Sequence, residues 1–153
     1  MGTHQLLIKV GAFANTGLTS LTIPATVTRN GVELELMVVL ESGSFDSNAS
    51  LSTISIAESV GEILGGVFSN CANLSSVTTA STVVYNSDCW PANNNITVTI
   101  IPAATSTEIV ANFMKDNTGV TTVYISYDIT VIQSDAFKGC TNLGVLFWGS
   151  AGT

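Results

Sequence analysis

The side chains able to do chemistry are few, and their spacing limits what they can do. Glu33 and Glu35 alternate with Leu34 and Leu36. Two carboxylates so spaced on a strand share a face, which would suit a cation or general acid–base work. No third ligand or base lies nearby in sequence, so the expected role is the solvated face of a hairpin. Cys71, Cys89 and Cys140 fit no zinc spacing, and an odd number leaves at least one thiol unpaired. His4, the single histidine, falls in residues 1–4, which read as a cloning remnant and are expected to be disordered. Asn48, Asn73 and Asn95 open N-x-S/T triplets that read as incidental. No catalytic residue, no metal site and no cofactor is expected.

The elements that hold these residues belong to one domain of 153 residues, long enough to bury a core. Hydrophobic residues make up 46%, which excludes a disordered chain. The longest apolar run, Leu36–Leu40, falls far short of the roughly 20 residues of a membrane span. Net charge is −7, and the four basic residues (Lys9, Arg29, Lys115, Lys138) are scattered. That argues against nucleic acid as a partner. It also argues against a polysaccharide-lyase type of β-helix, which needs Asp clustered with Arg or Lys. Only 10% of residues are charged while hydroxyl and amide side chains abound, as on exported surface proteins. The stretch MGTHQLLIKV has no signal-peptide core, so a signal of an exported parent would lie outside this sequence.

A period organises the chain. Phe13, Phe45, Phe68, Trp90, Phe113 and Phe137 are separated by 32, 23, 22, 23 and 24 residues. Each is followed by an apolar residue that opens a strand: Leu18, Leu51, Leu74, Ile96, Val120 and Leu143. Three residues before each opener stands Asn15, Asn48, Cys71, Asn93, Asn117 or Cys140. Asn and Cys are together about a tenth of the chain, so six coincidences from six mark a real repeat. Apolar residues recur three and five positions after the opener, the alternation of a half-buried strand.

A turn of about 23 residues cannot bury its own apolar side, so the period implies a solenoid. Stacked turns pair their strands in a parallel sheet at about 4.8 Å per turn. The Asn/Cys column then forms an internal ladder, in which side chains bond backbone groups left unpaired at each bend. Cys71 and Cys140, three turns apart, are roughly 14 Å from each other and beyond disulfide reach. Cys89 is expected to be the most exposed thiol.

These residues resemble the BspA-type leucine-rich repeat, whose turns run L-T-x-V-x-I-P-x-x-V-x-x-I-x-x-x-A-F-x-x-C. Val120–Asn142 matches closely, with Val123, Ile125, Ile129, Ile132, Ala136, Phe137 and Cys140 in place. Leu51–Asn73 matches nearly as well, and Leu18–Pro24 carries the strand LTSLTIP. The turns from Leu74 and Ile96 depart from the pattern, with Trp90 for Phe and Glu108 where Ile is usual. The resemblance implies a cell-surface or secreted protein that binds other proteins in adhesion, with no catalytic residues.

The expected architecture is a leucine-rich repeat solenoid of about six turns, with one parallel sheet and short helical or irregular return segments. Its partition is 5–17 (partial turn), 18–50, 51–73, 74–95, 96–119 and 120–142 (repeats), and 143–153 (partial turn). The long second unit holds an inserted hairpin around Asn30-Gly31. On each strand the even positions after the opener face away from the core. The outward face is then hydroxyl-lined for three turns, too few for an ice-binding array, and apolar in the last three. Ile100, Thr122, Tyr124, Val145 and Phe147 form the expected contact surface; a one-residue slip of the fourth strand would bury Val98 and Ile100 instead. Expected partners are proteins of the extracellular matrix or another cell surface. The alternative is head-to-tail self-assembly through uncapped ends.

Overall fold

The computed structural model describes residues 2–92 and 94–149. In chain order, the strands of the first half are β1 (Thr3–Ile8), β2 (Ser20–Ile23), β3 (Thr26–Arg29), β4 (Val32–Leu40), β5 (Thr53–Ile56) and β6 (Glu62–Ile63). Those of the second half are β7 (Ser76–Ala80), β8 (Val84–Tyr85), β9 (Ile96–Ile101), β10 (Glu108–Ile109), β11 (Val120–Ile125), β12 (Val131–Ile132) and β13 (Val145–Trp148).

Six of these form one parallel sheet, ordered β13-β11-β9-β7-β5-β2. Neighbouring strands come from successive turns, so the sheet grows as the chain winds. Most of these strands alternate an inward aliphatic residue with an outward hydroxyl, which suits a sheet buried on one face only; β7 turns Thr79 inward, and β13 is apolar throughout. Ile54, Val77, Val98 and Val123 make one buried inward row; Ile56, Thr79, Ile100 and Ile125 make the next.

The opposite wall is less regular. β4 pairs with β1 in parallel and with β3 antiparallel, while β6–β8 and β10–β12 are two-residue parallel pairs. Asn30 (φ 51°) and Gly31 (φ 76°) turn the β3–β4 hairpin through the left-handed region that such a tight turn requires. Thr3 and His4 lie in β1 and pair with Glu35 and Leu36, so they belong to the fold instead of being a disordered leader.

No described residue is helical, so of the helical or irregular returns expected, the described ones are irregular. The reason lies in the backbone around the aromatics. Phe13, Phe45, Phe68, Phe113 and Phe137 are each bracketed by two positive-φ residues four apart: Gly11 and Asn15, Gly43 and Ser47, Gly66 and Asn70, Asn112 and Asp116, Asp135 and Gly139. Two left-handed residues within five prevent a right-handed helix. They fold the chain instead into a tight return that drives the ring inward. The rings then stack from turn to turn: Phe13 on Phe45 at 5.2 Å, Phe45 on Phe68 at 5.7 Å, and Phe113 against Phe137 at 5.9 Å between centroids.

Candidate binding face

The outward face of the sheet carries no charged side chain on its six strands. One row runs Ser20, Thr53, Ser76, Thr97, Thr122, Val145, and the next runs Thr22, Ser55, Thr78, Thr99, Tyr124, Phe147. The chemistry therefore changes across β11 and β13, from hydroxyls to an apolar and aromatic cluster. Tyr124 and Phe147 lie 5.7 Å apart with planes tilted by 51°. Phe147 and Val145 are exposed, and Tyr124 and Thr122 are half-buried beside them.

Ile100, expected on this face, is instead 0% exposed and packs in the core. The ladder between β9 and β11 shifts between Val120 and Thr122, so that Val98 pairs with Val123 and Ile100 with Ile125. Keeping the repeat frame fixed would have put Thr97 and Thr99 inside without partners and two aliphatics in water. A one-residue slip reverses both costs. Ile101, 44% exposed, takes the outward position. The same slip carries the hydroxyl rows through Thr97 and Thr99, beyond the three turns expected. The signal was in the strict alternation of Ile96, Val98 and Ile100, which the repeat count overrode.

Behind the sheet, the amide and thiol column connects consecutive turns. Asn48 is fully buried: its Nδ2 donates to the carbonyls of Phe13 (2.7 Å) and Phe45 (2.8 Å), and its Oδ1 accepts from the Thr16 amide. The Cys71 thiol donates to the Phe45 carbonyl (3.3 Å), the Asn117 amide to the Tyr85 carbonyl (3.0 Å), and the Cys140 thiol to the Met114 carbonyl (3.0 Å). Asn15 departs from the expected buried ladder. It is exposed and serves as a left-handed residue (φ 53°). Asn93 lies outside the described residues; beside it, Asn94 donates to the carbonyls of Cys71 and Leu74.

Two further participants escaped the sequence reading. Tyr85 is buried and lies 5.2 Å from Trp90 and 6.0 Å from Phe113, linking the aromatic stack where Trp90 alone was expected. A second, exposed amide column also exists, with Asn73 donating to Ala49 and Asn142 to Thr118, both at 2.7 Å. Its signal was the recurrence of Asn two residues after Cys71 and Cys140. Gly119 has a particular task here. A Cβ on it would sit 2.7 Å from Trp90 Nε1, so only glycine lets the indole lie against the start of β11.

All three cysteines are free, and Cys89, expected to be the most exposed, is fully buried behind Trp90. Burial raises each thiol above its ordinary value, with nearby Asp46, Asp88 and Asp116 adding to the rise at Cys71, Cys89 and Cys140. Raised pKa values disfavour the thiolate, the opposite of what a nucleophilic cysteine needs. Glu33 accepts a hydrogen bond from the Thr26 hydroxyl across the hairpin (2.7 Å). Among the described residues, no group of three or more His, Cys, Asp or Glu could hold a metal ion, and no helix is long and apolar enough to cross a membrane.

The fold and its internal ladder define a parallel repeat solenoid. A family model described as the BspA type leucine rich repeat region matches residues 7–144 in six copies, and the chain belongs to that family. No curated protein matches it. Among solved structures, it is similar to a leucine rich cell surface protein from Faecalibacterium prausnitzii A2-165, at 18% identity and a TM-score of 0.33. That match covers 93% of this chain and 51% of the other, so the chain spans about half of that structure.

Proposed function

We propose that the chain is a non-catalytic protein-binding module of a cell-surface or secreted protein, used in adhesion. Its contact area is the outward face at the β9–β13 end of the sheet. The single observation that carries this reading is the cluster of Tyr124, Val145 and Phe147 on an otherwise hydroxyl-lined, uncharged face. Exposed aromatics in a contiguous apolar patch are the side chains most enriched at the centres of protein interfaces. Thr122 stands beside them, and Ile101 takes the role expected of Ile100. The hydroxyls around them offer a polar surround that can bond a partner or water. Partners of the extracellular matrix or another cell surface fit this face better than nucleic acid, given the scattered basic residues.

The test is capture of the chain on immobilised extracellular-matrix proteins. Replacing Tyr124→Ser and Phe147→Ser together should weaken capture by roughly thirtyfold or more, the signature of central aromatic anchors. Thr53→Ala, three strands away from Tyr124, should leave it unchanged. Undiminished capture by the double variant, with circular dichroism unaltered, sinks the reading.

A further inference from the structure

Asn48, Asn73 and Asn95 each open the N-x-S/T triplet that marks an acceptor of an N-linked glycan. The triplets look alike in the sequence, but the fold treats them differently. Attaching a sugar replaces one N–H of the side-chain amide and needs open space beyond it. The folded chain can carry a glycan only where that nitrogen has a proton to spare and faces water.

Asn48 meets neither condition. It is 0% exposed, and its Nδ2 donates to both the Phe13 and the Phe45 carbonyls. A sugar there would displace one of these bonds and demand room inside a close-packed core. Asn73 is exposed, but its Nδ2 is held on the Ala49 carbonyl at 2.7 Å. The hydroxyl of its triplet, on Ser75, donates to the Ser52 carbonyl at 3.5 Å. Both ends of that triplet are engaged by the preceding turn.

Asn95 differs because its turn departs from the repeat. Asn73 and Asn95 each stand one residue before a strand opener, Leu74 and Ile96. The repeat would therefore place Asn95 in the exposed amide column with Asn73 and Asn142. Asn94 has taken that task, its Nδ2 donating to the carbonyls of Cys71 (3.1 Å) and Leu74 (3.3 Å). Asn95 instead enters the left-handed region (φ 54°), which asparagine tolerates better than most residues, and it is exposed. Among the described residues, neither its side-chain amide nor the Thr97 hydroxyl has a hydrogen-bond partner. Ile96 between them is fully buried and fixes the triplet at the entrance to β9.

We propose that Asn95 carries an N-linked glycan. The donor is an oligosaccharide joined to a lipid through pyrophosphate, and a transferase of the secretory compartment is the catalyst. Asn95 Nδ2 forms a bond to the anomeric carbon of the first sugar as the bond from that carbon to the pyrophosphate oxygen breaks. The lipid pyrophosphate leaves with the electron pair, one Nδ2 proton passes to a base of the transferase, and nothing is oxidised or reduced. The proposal rests on the secreted reading given above but not on the contact face, because Asn95 lies outside the cluster of Tyr124, Val145 and Phe147.

The test expresses the chain behind a signal peptide in a eukaryotic cell that N-glycosylates. Peptide N-glycanase in heavy-oxygen water then converts each glycosylated asparagine to a labelled aspartate, read by peptide mass spectrometry. Asn95 should be labelled in most copies of the secreted, folded chain, Asn73 in a minority and Asn48 in none. Thr97→Ala should abolish the label at Asn95 and Thr97→Ser should keep it, which separates use of the triplet from mere exposure of the amide. Asn95→Asp, which suits the left-handed turn, supplies a chain without this glycan. Its capture on matrix proteins is a separate readout, and failure there counts against the contact face alone. A secreted chain folded by circular dichroism but unlabelled at Asn95, a label that survives Thr97→Ala, or Asn73 labelled as fully as Asn95 would each overturn the proposal.

Discussion

β11 and β13 are neighbours in one sheet with the same alternation, yet their inward side chains have opposite fates. Val123 and Ile125 are completely buried; Leu146 and Trp148, their partners in register, are half exposed. The difference is one neighbour. β11 pairs with a strand on each side, whereas among the described residues β13 pairs with one. The Asn/Cys column repeats the lesson, because Asn48 is enclosed between turns while Asn15 is wet. In a solenoid an apolar residue becomes core through its neighbours on both sides, so stability resides in the interfaces between turns.

Breaking an enclosed position should cost most. Ile125→Ala should destabilise the chain by roughly 2–5 kcal/mol in a denaturant titration, as for other buried aliphatics cut to Ala. A cost under about 1 kcal/mol would mean that β11 is less enclosed than its burial indicates. Asn48→Ala comes next, at about 2–3 kcal/mol, since it leaves the Phe13 and Phe45 carbonyls without the amide that bonds them. Asn15→Ala should cost only about 1 kcal/mol, the strain of a left-handed alanine. If the two asparagine variants melt alike, enclosure is not what separates them. Trp148→Ala should be the mildest, within about 0.5 kcal/mol, because its side chain is half exposed.

The thiols sharpen the same contrast chemically. Cys140, half-buried in the last complete turn, should react with a thiol reagent before Cys71 and Cys89 in the native protein. All three have raised folded-state pKa values, so the native chain keeps protons that the unfolded chain releases. Their contribution to stability is intact below the ordinary thiol value of 9.0 and is lost as pH rises from there through the folded values. Thermal melts across that range should show the decline, and the loss should shrink when Cys89 is replaced by Ala in a chain that still folds.

Much of the arrangement was readable in order. The aromatic anchors, four members of the column (Asn48, Cys71, Asn117 and Cys140), and the Asn30-Gly31 turn all follow from local chemistry, which does not depend on distant partners. The left-handed pairs around the five phenylalanines were also present, as Gly, Asn, Asp and Ser four residues apart, but a repeat drawn around apolar residues passes over them. The contact face was legible only in part. Tyr124, Val145 and Phe147 sit where alternation put them, while Ile100 does not, because a count of residues cannot see a bulge in the neighbouring strand.

The sequence by itself determined that the chain winds in turns, which side chains point together within a turn, and that little charge is available for catalysis. Only the tertiary structure decided the register between β9 and β11, the burial of Cys89, and Tyr85's place in the aromatic stack. The physical reason is that periodicity acts within a strand, whereas register and enclosure are settled between strands. There, a shift of one residue exchanges core for surface at a cost that no single turn can express.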